Sequence, residues 1–299
     1  MDVSIIIVNY NTKKLTKNCI DSIFDKTKDV EFEVILVDND SKDGSQEIFS
    51  KDSRIKFVES GGNLGFGRAN NLGLQYATGK YIFFLNSDTI LLNNAVKIFK
   101  DFYDKHGEGL HLGGIGCQLQ AKDGELIHSG NYFPNWKEDL KAELRDHWST
   151  INHRTKAPRK TIQMLASPFD PMKVDYVTGA DLFVKKDILE KYGAFDPAFF
   201  MYNEESEMQF RWHKYDVNQY LIDGPQIVHL EGVSMNKVRE SISKEMIHAK
   251  SRILYYRLTL NKLNYFIYRL FLLLIRTPHI VIERGSVRDK IRYFLILSH

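Results

Sequence analysis

Three short polar clusters each follow an apolar run in the first third of the chain. They are Asn9-Tyr10-Asn11, Asp38-Asn39-Asp40 and Asn86-Ser87-Asp88. A carboxylate in such a cluster can accept the ring N3–H of uracil or thymine, a proton that cytosine lacks. It can also hold a cation that bridges phosphate oxygens. The alternative is that each cluster is only an Asx-type turn at the end of a strand.

The apolar runs before these clusters have the length and composition of buried strands. Val3–Val8, Phe32–Val37 and Tyr81–Leu85 are rich in β-branched or aromatic residues, and segments with helical spacing alternate with them. This alternation predicts a parallel sheet with right-handed crossovers, so that the three strands end at one edge. Ligands of open α/β sheets bind at that edge, and we expect the polar clusters to meet there.

Beyond Gly113 the alternation of strands and helices becomes less regular. The sequence Lys122-Asp123-Gly124 predicts a hairpin turn between two short strands. Residues 134–168 are polar and show no clear period, so we interpret them as an insertion or a loop. The segment Glu204–Glu207 places three glutamates in the first turn of a predicted helix, where acidic side chains interact favourably with the helix dipole.

The composition is typical of a globular protein in a reducing compartment. The chain has 299 residues, 43% of them hydrophobic, which is enough for a substantial core. The two cysteines, Cys19 and Cys117, have no paired spacing, which argues against a disulfide scaffold or a zinc site. The first residues lack the pattern of a signal peptide, and no run reaches the roughly 20 apolar residues that span a bilayer. We therefore expect a cytoplasmic protein.

The charge is unevenly distributed along the chain. The net charge of +3 is too small to indicate nucleic acid as a partner. Residues 237–299, predicted to be helical, carry 13 Lys or Arg against 4 Asp or Glu, a local charge of +9. Basic residues there flank apolar runs such as Leu263–Ile275, a pattern typical of helices that lie on an anionic membrane surface. The same pattern fits helices that pack on the protein itself or on a second subunit.

A series of segments carries a resemblance to a known enzyme family. In chain order they are VSIIIVNYNT, VILVDNDSKDGS, NLGFGRANNLGL, YIFFLNSDT, VTGADLFVKKDILEKYGAFDPAFFMYNEESEMQFRW and IVHLEGVS. Their order and spacing resemble the inverting glycosyltransferases of family 2, in particular the bacterial rhamnosyltransferase-like branch that builds surface polysaccharides. The resemblance covers about residues 3–235. It implies a GT-A fold, which is an α/β fold with a Rossmann-like, nucleotide-sugar-binding mixed sheet, helices on both faces and, here, a C-terminal helical extension.

The resemblance assigns a set of residues to binding of a nucleotide-sugar donor. They are Asn9, Tyr10, Asp38, Asn63, Asn71, Asn86, Ser87 and Gly179. Asp38 would recognise the pyrimidine base, with Tyr10 lining it, although from the residues alone Asp38 could equally cap the following helix. Gly179 would lie in a turn near donor and acceptor, where a side chain would crowd the sugar.

The resemblance also implies a metal ion, Mg²⁺ or Mn²⁺, at the third cluster. Asn86-Ser87-Asp88 matches the DxD motif of the family with Asn in place of the first Asp, which leaves Asp88 as the main carboxylate. His229 matches a histidine that closes over the metal or the diphosphate; otherwise a histidine at a strand end is a structural hydrogen-bonding residue. The ion would neutralise the charge that builds on the departing diphosphate.

Glu204 and Glu205 match the Glu-Asp motif of the family, in which the Asp is the general base. Inverting transfer needs a carboxylate that takes the proton of the acceptor hydroxyl, and we assign that role to Glu205. Glu204 would orient Glu205 or contact the acceptor. We assign Glu207 to structure, because it forms an i,i+4 pair with Arg211.

These features predict a catalytic domain at residues 1–236, with a nucleotide-binding half at 1–105 and an acceptor-binding half at 106–236, and a helical extension at 237–299. The predicted reaction moves a sugar from a UDP- or dTDP-sugar to a saccharide or lipid-linked saccharide in surface polysaccharide biosynthesis. A peripheral position at the inner face of the plasma membrane and a homodimer are further expectations. The alternatives are a nucleotide-sugar-binding pseudoenzyme or complex subunit, for which Asn86 and Glu205 argue, and a nucleotidyltransferase.

Overall fold

The computed structural model describes residues 1–127, 129–151, 162, 164–230, 242–282 and 287–298. The chain divides into two units. The first unit comprises Met1–Tyr132, Ile162–Phe200 and Glu204–Lys237, and the second comprises Phe133–Thr161, Met201–Asn203 and Val238–His299. The domain boundary predicted at residue 236 falls among residues 231–241, which lie outside the described part of the chain.

Strands and helices alternate in the first part of the first unit, as predicted. The elements are β1 Val3–Asn9, α1 Lys13–Lys26, β2 Phe32–Asp38, α2 Ser45–Phe49, β3 Ile55–Glu59, α3 Phe66–Leu74, β4 Tyr81–Asn86, β5 Thr89–Leu91 and α4 Ala95–His106. The short strand β5 is not predicted from the sequence. Its three residues follow directly on the third polar cluster and show no strand pattern of their own.

The remaining elements are shorter until the C-terminal helices. They are β6 Leu112–Cys117, β7 Leu119–Gln120, β8 Leu126–Ile127, β9 Gly130–Asn131, α5 Trp136–Ile151, β10 Met172–Val174, β11 Tyr176–Val177, β12 Asp181–Lys185, α6 Lys186–Tyr192, α7 Glu204–His213, β13 Asn218–Ile222, β14 Ile227–His229, α8 Ile242–Thr259, α9 Lys262–Ile282 and α10 Val287–Ser298. The predicted hairpin is confirmed, because β7 and β8 pair in antiparallel fashion on either side of Gly124, whose φ is 87°.

An eight-stranded mixed sheet forms the centre of the first unit, with the order β10-β13-β6-β12-β4-β1-β2-β3. Strands β4, β1, β2 and β3 are parallel to one another, and β12 runs antiparallel to both β4 and β6. The polar clusters that follow β1, β2 and β4 therefore lie at one edge of the sheet, as expected. A second sheet with the order β5-β14-β7-β8 places β14 antiparallel to β5, directly after the third cluster.

The sheet has an apolar core on each face. Neighbouring residues of a strand point to opposite faces, so Ile5 packs with Phe83, Phe99 and other residues in one core and Ile6 packs in the other. The second core contains Phe84, Phe195, Trp212 and residues of α3 and α7. The helix that begins with the three glutamates is therefore fixed by its apolar side against the sheet.

The second unit is helical. Residues 134–168, interpreted above as an insertion or a loop, contain the helix α5, which packs with α9. Arg252 donates to Asp139 at 2.8 Å, and Arg276 forms an ion pair of 2.6 Å with Glu143, so that charged pairs join α5 to α8 and α9. Among the described residues no helix has both the length and the apolar content needed to cross a membrane.

Candidate active site

Asn9 at the end of β1 holds the first two polar clusters together. Its Nδ2 donates to Asp38 Oδ1 at 2.7 Å and to Ser41 Oγ at 3.0 Å, while its Oδ1 accepts from the hydroxyls of Thr12 and Thr16, each at 2.8 Å. The register of the parallel pair β1–β2, in which Asn9 lies opposite Asp38, creates this contact. All five side chains are buried, so the network forms a fixed floor at the edge of the sheet.

Asp38 is fully buried and both of its oxygens are hydrogen-bonded. Besides Asn9, its partners are the backbone N–H of Ser41 at 3.0 Å and the Gln46 side-chain amide at 3.1 Å, both of which donate to Oδ2. Tyr10, next to this network in the chain, is 44% exposed. The structure therefore offers a ring surface at this edge, whereas the carboxylate lies beneath it.

The second cluster also anchors the loop that follows β3. Asn39 Oδ1 accepts from Leu64 N–H at 2.8 Å, and Asn39 Nδ2 donates to Asn63 Oδ1 at 3.1 Å. Gly65, at the start of α3, has a φ of 81°, and an added Cβ would lie 2.0 Å from the carbonyl oxygen of Phe200. Asn63 is thus a structural residue of this loop with an exposed side chain.

Asn71 lies in α3 and faces the segment before α7. Its Nδ2 donates to the carbonyl oxygen of Phe195 at 2.7 Å, and its buried Oδ1 has no hydrogen-bond partner within the described residues. The contact spans more than a hundred residues of sequence. Asn71 therefore connects α3 to the segment between α6 and α7.

The third cluster lies next to His229. His229 Nε2 is 3.2 Å from Asp88 Oδ1 and 3.3 Å from Asn86 Nδ2, and all three side chains are buried or partly buried. The pairing of β14 with β5, in which His229 lies opposite Thr89, brings the histidine to this place. Ser87 contacts the first cluster through a hydroxyl pair with Thr12 at 3.1 Å. The structure thus brings together Asn86, Ser87, Asp88 and His229, as the sequence predicts.

The side chains of this group are suited to binding a cation together with the phosphate groups of a ligand. The Asp88 carboxylate and the His229 imidazole are suitable ligands for Mg²⁺ or Mn²⁺ when phosphate oxygens complete the shell. Within the described residues no group of three His, Cys, Asp or Glu side chains could hold an ion by itself. Asp88 and His229 therefore fit an ion that is bound together with a diphosphate.

Gly179 and its neighbours connect the third cluster to the sheet. Asn86 N–H donates to the carbonyl oxygen of Ala180 at 3.0 Å, and an added Cβ at Gly179 would lie 2.8 Å from the ring of Phe66. The Thr178 hydroxyl is buried and has no hydrogen-bond partner in the part of the chain that the structure describes. Any side chain at position 179 would therefore collide with α3, which explains the glycine.

Asp181, the first residue of β12, is a buried carboxylate that the sequence reasoning missed. Its Oδ2 accepts from Cys117 N–H at 2.7 Å, and its Oδ1 lacks a hydrogen-bond partner among the described residues. Burial raises the pKa of Asp181 to about 7, against the opposing effects of the Cys117 hydrogen bonds and of the positive charge of His229. The signal in the sequence is a lone acid at the start of the apolar run Leu182–Val184.

Glu204 and Glu205 begin α7 in different environments. Glu204 is buried, and one of its oxygens, Oε2, has no hydrogen-bond partner among the described residues, whereas Glu205 is partly exposed. Burial, and secondly the Glu205 carboxylate, raise the pKa of Glu204 well above its usual range. The raised pKa favours the protonated, neutral form of Glu204.

Glu207 has the structural role that its spacing predicts. Its carboxylate accepts from Arg211 Nε at 2.8 and 3.1 Å, and the Arg211 guanidinium also donates to the carbonyl oxygens of Tyr192 and Ala194. Burial raises the pKa of Glu207 although the charge of Arg211 opposes it. The pair fixes the outer side of α7 to the end of α6.

Gln209 fixes the opposite side of α7 and was also missed from the sequence. It is fully buried, accepts from Val177 N–H at 2.8 Å, and donates to Val177 O at 2.8 Å and to Glu205 O at 3.0 Å. The side chain thus pairs with β11 as a strand would, one residue before Thr178. A glutamine on the apolar side of a helix is the only trace of this contact in the sequence.

A cavity of about 410 Å³ in the first unit lies away from these residues. Lys80 and Tyr81 at the start of β4, Tyr103 and Asp104 of α4, and Lys185 are among its lining residues. The start of β4 is at the opposite end of the strand from Asn86. The cavity is therefore not the candidate site.

Comparison with known proteins agrees with this geometry. The Haloferax volcanii low-salt glycan biosynthesis hexosyltransferase Agl10 is 25% identical over 245 residues, which are 80% of this chain and 71% of the relative. The Streptococcus pneumoniae glycosyltransferase GlyG is 29% identical over 135 residues, 44% of this chain and only 39% of the relative. The chain therefore spans well under two thirds of some of the relatives that it matches.

A solved structure and a family model extend the comparison. The mannosyltransferase PcManGT from Pyrobaculum calidifontis, solved in complex with GDP-Man and Mn²⁺, superposes with a TM-score of 0.56 at 13% identity over 99% of this chain and 84% of that chain. This likeness confirms the predicted GT-A fold. The model of the family described as Glycosyl transferase family 2 matches residues 4–164. Because that match covers more than half of its 299 residues, the chain belongs to glycosyl transferase family 2.

Proposed function

We propose that the protein is an inverting glycosyltransferase that moves a sugar from a nucleoside diphosphate to a saccharide or lipid-linked saccharide. The observation that supports this most directly is the group formed by Asn86, Asp88 and His229 at the carboxyl end of β4, with Asp88 and His229 3.2 Å apart. A family 2 chain with such a group has the means to bind a diphosphate. The names of relatives such as Agl10 support a role in glycan biosynthesis.

We propose a UDP- or dTDP-sugar as the donor. The exposed ring of Tyr10 offers a surface on which a pyrimidine base would stack. A direct hydrogen bond from the base N3–H to Asp38 stays a prediction. It would require the Gln46 amide, which donates to Asp38 Oδ2 at 3.1 Å, to give way. The Mn²⁺ complex of PcManGT contains a guanine nucleotide, so GDP-sugars belong among the donors to be tested.

Glu205 is the proposed general base. Its carboxylate is partly exposed at the start of α7, so it can take the proton of an acceptor hydroxyl as that oxygen attacks the anomeric carbon. Attack opposite to the leaving diphosphate inverts the configuration at that carbon. Glu204, which precedes Glu205 in the chain, is buried, and its raised pKa favours its neutral form. Gln209 and the pair Glu207–Arg211 hold the helix that carries the base.

Asp88 and His229, with Asn86 beside them, are proposed to hold Mg²⁺ or Mn²⁺ together with the donor diphosphate. When bound, the ion would supply positive charge that stabilises the leaving group. Asn86 and Ser87 would position the diphosphate through hydrogen bonds. Thr12 fixes Ser87 by the contact between their hydroxyls.

The acceptor is proposed to be a saccharide of a surface glycan, free or linked to lipid, with transfer at an anionic membrane surface on the cytoplasmic side. A homodimer is a further proposal. The rhamnosyltransferase-like branch stays a prediction, because the relatives named above are a hexosyltransferase, a glycosyltransferase and a mannosyltransferase. Sugar choice would depend on loops around the turn at Gly179.

Turnover of the purified protein tests the proposal. The protein would be offered UDP-, dTDP- and GDP-sugars with Mg²⁺ or Mn²⁺ and saccharide or polyprenyl-linked acceptors, and product would be followed by mass spectrometry. We expect transfer that stops with chelator and a product of inverted configuration. Nucleotide-sugar binding without any transfer would favour the pseudoenzyme, and diphosphate release from a nucleoside triphosphate would favour a nucleotidyltransferase.

The variant Glu205→Gln tests the general base. We expect kcat to fall by about 10²–10⁴-fold while donor affinity stays within about twofold, because the amide cannot accept the proton. The control is Glu190→Gln on α6, where the side chain is 64% exposed and kcat should not change. Full activity of Glu205→Gln with normal donor binding would remove Glu205 from this role.

A further inference from the structure

Large apolar side chains cover the outer side of α9. Leu263, Phe266, Leu270 and Leu274 follow one another at spacings of three and four residues, so they lie on one face of the helix. Together with Phe271 they are 45–68% exposed. Fully solvated helix faces normally carry charged residues, and an apolar stripe of this length normally faces a core.

The neighbouring helix α10 repeats this arrangement. Val287, Ile291, Phe294 and Leu295 share one side of α10 and are 41–73% exposed. The helices α9 and α10 pack on each other, with Arg269 of α9 donating to the carbonyl oxygen of Leu297 at 2.6 Å. We refer to the nine exposed residues of the two helices together as the apolar face.

The charged residues of α9 point away from the apolar face. Between Leu263 and Ile275 the only charged residue is Arg269, and it contacts the backbone of α10. Arg276 forms ion pairs with Glu143 of α5 and Glu245 of α8. These two arginines are therefore directed inward and the apolar residues outward, the reverse of a water-facing helix. Exposed apolar patches of this kind mark sites of contact with a protein or a membrane.

Basic residues at the margins of the apolar face indicate which partner covers it. Lys262 at the start of α9, and Arg288 and Arg292 on α10, are exposed. Among the described residues of the two helices the one acidic residue is Asp289. An anionic surface complements this charge, whereas a two-fold contact with a second copy would bring two basic margins together.

We propose that the apolar face inserts into the headgroup region of an anionic lipid bilayer, with α9 and α10 lying parallel to the membrane plane. Helices of this type bury their apolar side about 5–10 Å below the surface, and basic side chains at the margin contact anionic headgroups. The proposal rests on the part of the proposed function that places the acceptor at a membrane, but lipid binding needs no turnover.

Vesicle flotation of the full-length protein tests the proposal. We expect the protein to float with vesicles of phosphatidylcholine and phosphatidylglycerol, and to float less with phosphatidylcholine alone or at high salt. In the double variant Phe266→Asp/Leu270→Asp we expect at least a tenfold lower partition coefficient, because two inserted apolar side chains are lost. The matched control is Ile48→Asp on α2, a similarly exposed apolar residue outside the apolar face, which should float like the parent protein.

Two further measurements keep the outcome decisive. Circular dichroism and donor binding check that the double variant is folded, and the milder single variant Leu270→Gln replaces it if it is not. Sedimentation of the parent protein and the variants in the absence of lipid detects a second copy as the partner. Equal flotation of the parent protein and both apolar-face variants would overturn the proposal. So would a dimer that dissociates in the double variant while neither protein binds vesicles.

Discussion

Buried polar side chains are treated in opposite ways on the two sides of the candidate site. At the ends of β1 and β2, Asn9 and Asp38 use their polar atoms in hydrogen bonds with one another and with nearby hydroxyls and amides. On the other side, Thr178 Oγ1, Asp181 Oδ1 and Glu204 Oε2 are buried without a hydrogen-bond partner among the described residues. Both sides belong to the first unit and share the same sheet.

The difference indicates which part of the site is complete before a ligand binds. An unpaired buried polar group costs about 1–3 kcal/mol, so such groups are rare unless a bound partner relieves them. We interpret the network around Asn9 and Asp38 as a floor that is already fixed in the free protein. The unpaired atoms belong to residues that lie within two positions of Gly179 or Glu205 in the chain.

The largest expected effect concerns the hydrogen-bonded network around Asn9. Asn9→Leu would leave the buried Asp38 carboxylate without its shortest hydrogen bond and two threonine hydroxyls without their acceptor. We expect the free energy of unfolding to fall by about 4 kcal/mol in urea denaturation. Tyr10→Leu at the adjacent, exposed position is the control and should change it by less than about 0.5 kcal/mol. A small effect of Asn9→Leu would contradict the interpretation that this network is fixed in the free protein.

The next prediction concerns Asp181, where a substitution is expected to raise the free energy of unfolding. Because burial raises its pKa from 3.8 to about 7, the folded protein resists ionisation that the unfolded chain allows. The free energy of unfolding of the parent protein therefore falls as the pH rises from about 4 to about 7. Asp181→Asn removes this fall, so we expect it to be about 4 kcal/mol more stable than the parent protein at pH 8 and about equally stable at pH 4.

The Asp181 prediction has a control of the same chemistry. Asp187→Asn changes an aspartate whose side chain is 67% exposed, and the difference from the parent protein should not depend on pH. Denaturation curves at several pH values provide the measurement. A loss of stability in Asp181→Asn at pH 8 would show that the unpaired oxygen has a partner that the comparison overlooks.

The smallest expected effect comes from a matched pair of threonines. Thr16 Oγ1 donates to Asn9 at 2.8 Å, whereas Thr178 Oγ1 has no partner in the described structure. Thr16→Val should lower the free energy of unfolding by about 1.5 kcal/mol, and Thr178→Val should leave it within about 0.5 kcal/mol. If the Thr178 hydroxyl contacts the substrate, Thr178→Val should instead raise KM for the acceptor. Equal losses of stability in both variants would contradict the division of the site into two sides.

The ends of the strands could be predicted from the sequence because the signal is local. An apolar run that ends in Asn or Asp is visible without knowing any partner strand, and this was enough to place Asp38 and Asp88 at one edge. The network around Asn9 could not be predicted, because it depends on the register of β1 and β2. The contact between His229 and Asp88 was reached only through the family resemblance, since it depends on the pairing of β14 with β5.

One helix and two buried polar residues were not predicted from the sequence, for different physical reasons. The helix α5 lacks a clear apolar period, but its Lys, Glu, Leu and Ala residues are strong helix formers, so propensity would have found what periodicity did not. Gln209 and Asp181 are polar residues in apolar surroundings, and the sequence shows only that they are unusual. Their partners, Val177 and Cys117, are far away in the chain and become known only with the fold.

The close approach of Gly65 to Phe200 restricts how this family member can diverge. The carbonyl oxygen of Phe200 accepts from Phe66 N–H at 2.9 Å and occupies the space that a Cβ at position 65 would need. A substitution at Gly65 is therefore tolerable only after the backbone at Phe200 has moved, and that backbone leads within four residues to Glu204. Lineages that change the loop before α3 would have to change the segment that leads to α7 in the same step. Substitutions in the two segments are thus expected to occur together, although more than half of residues 1–236 lie between them.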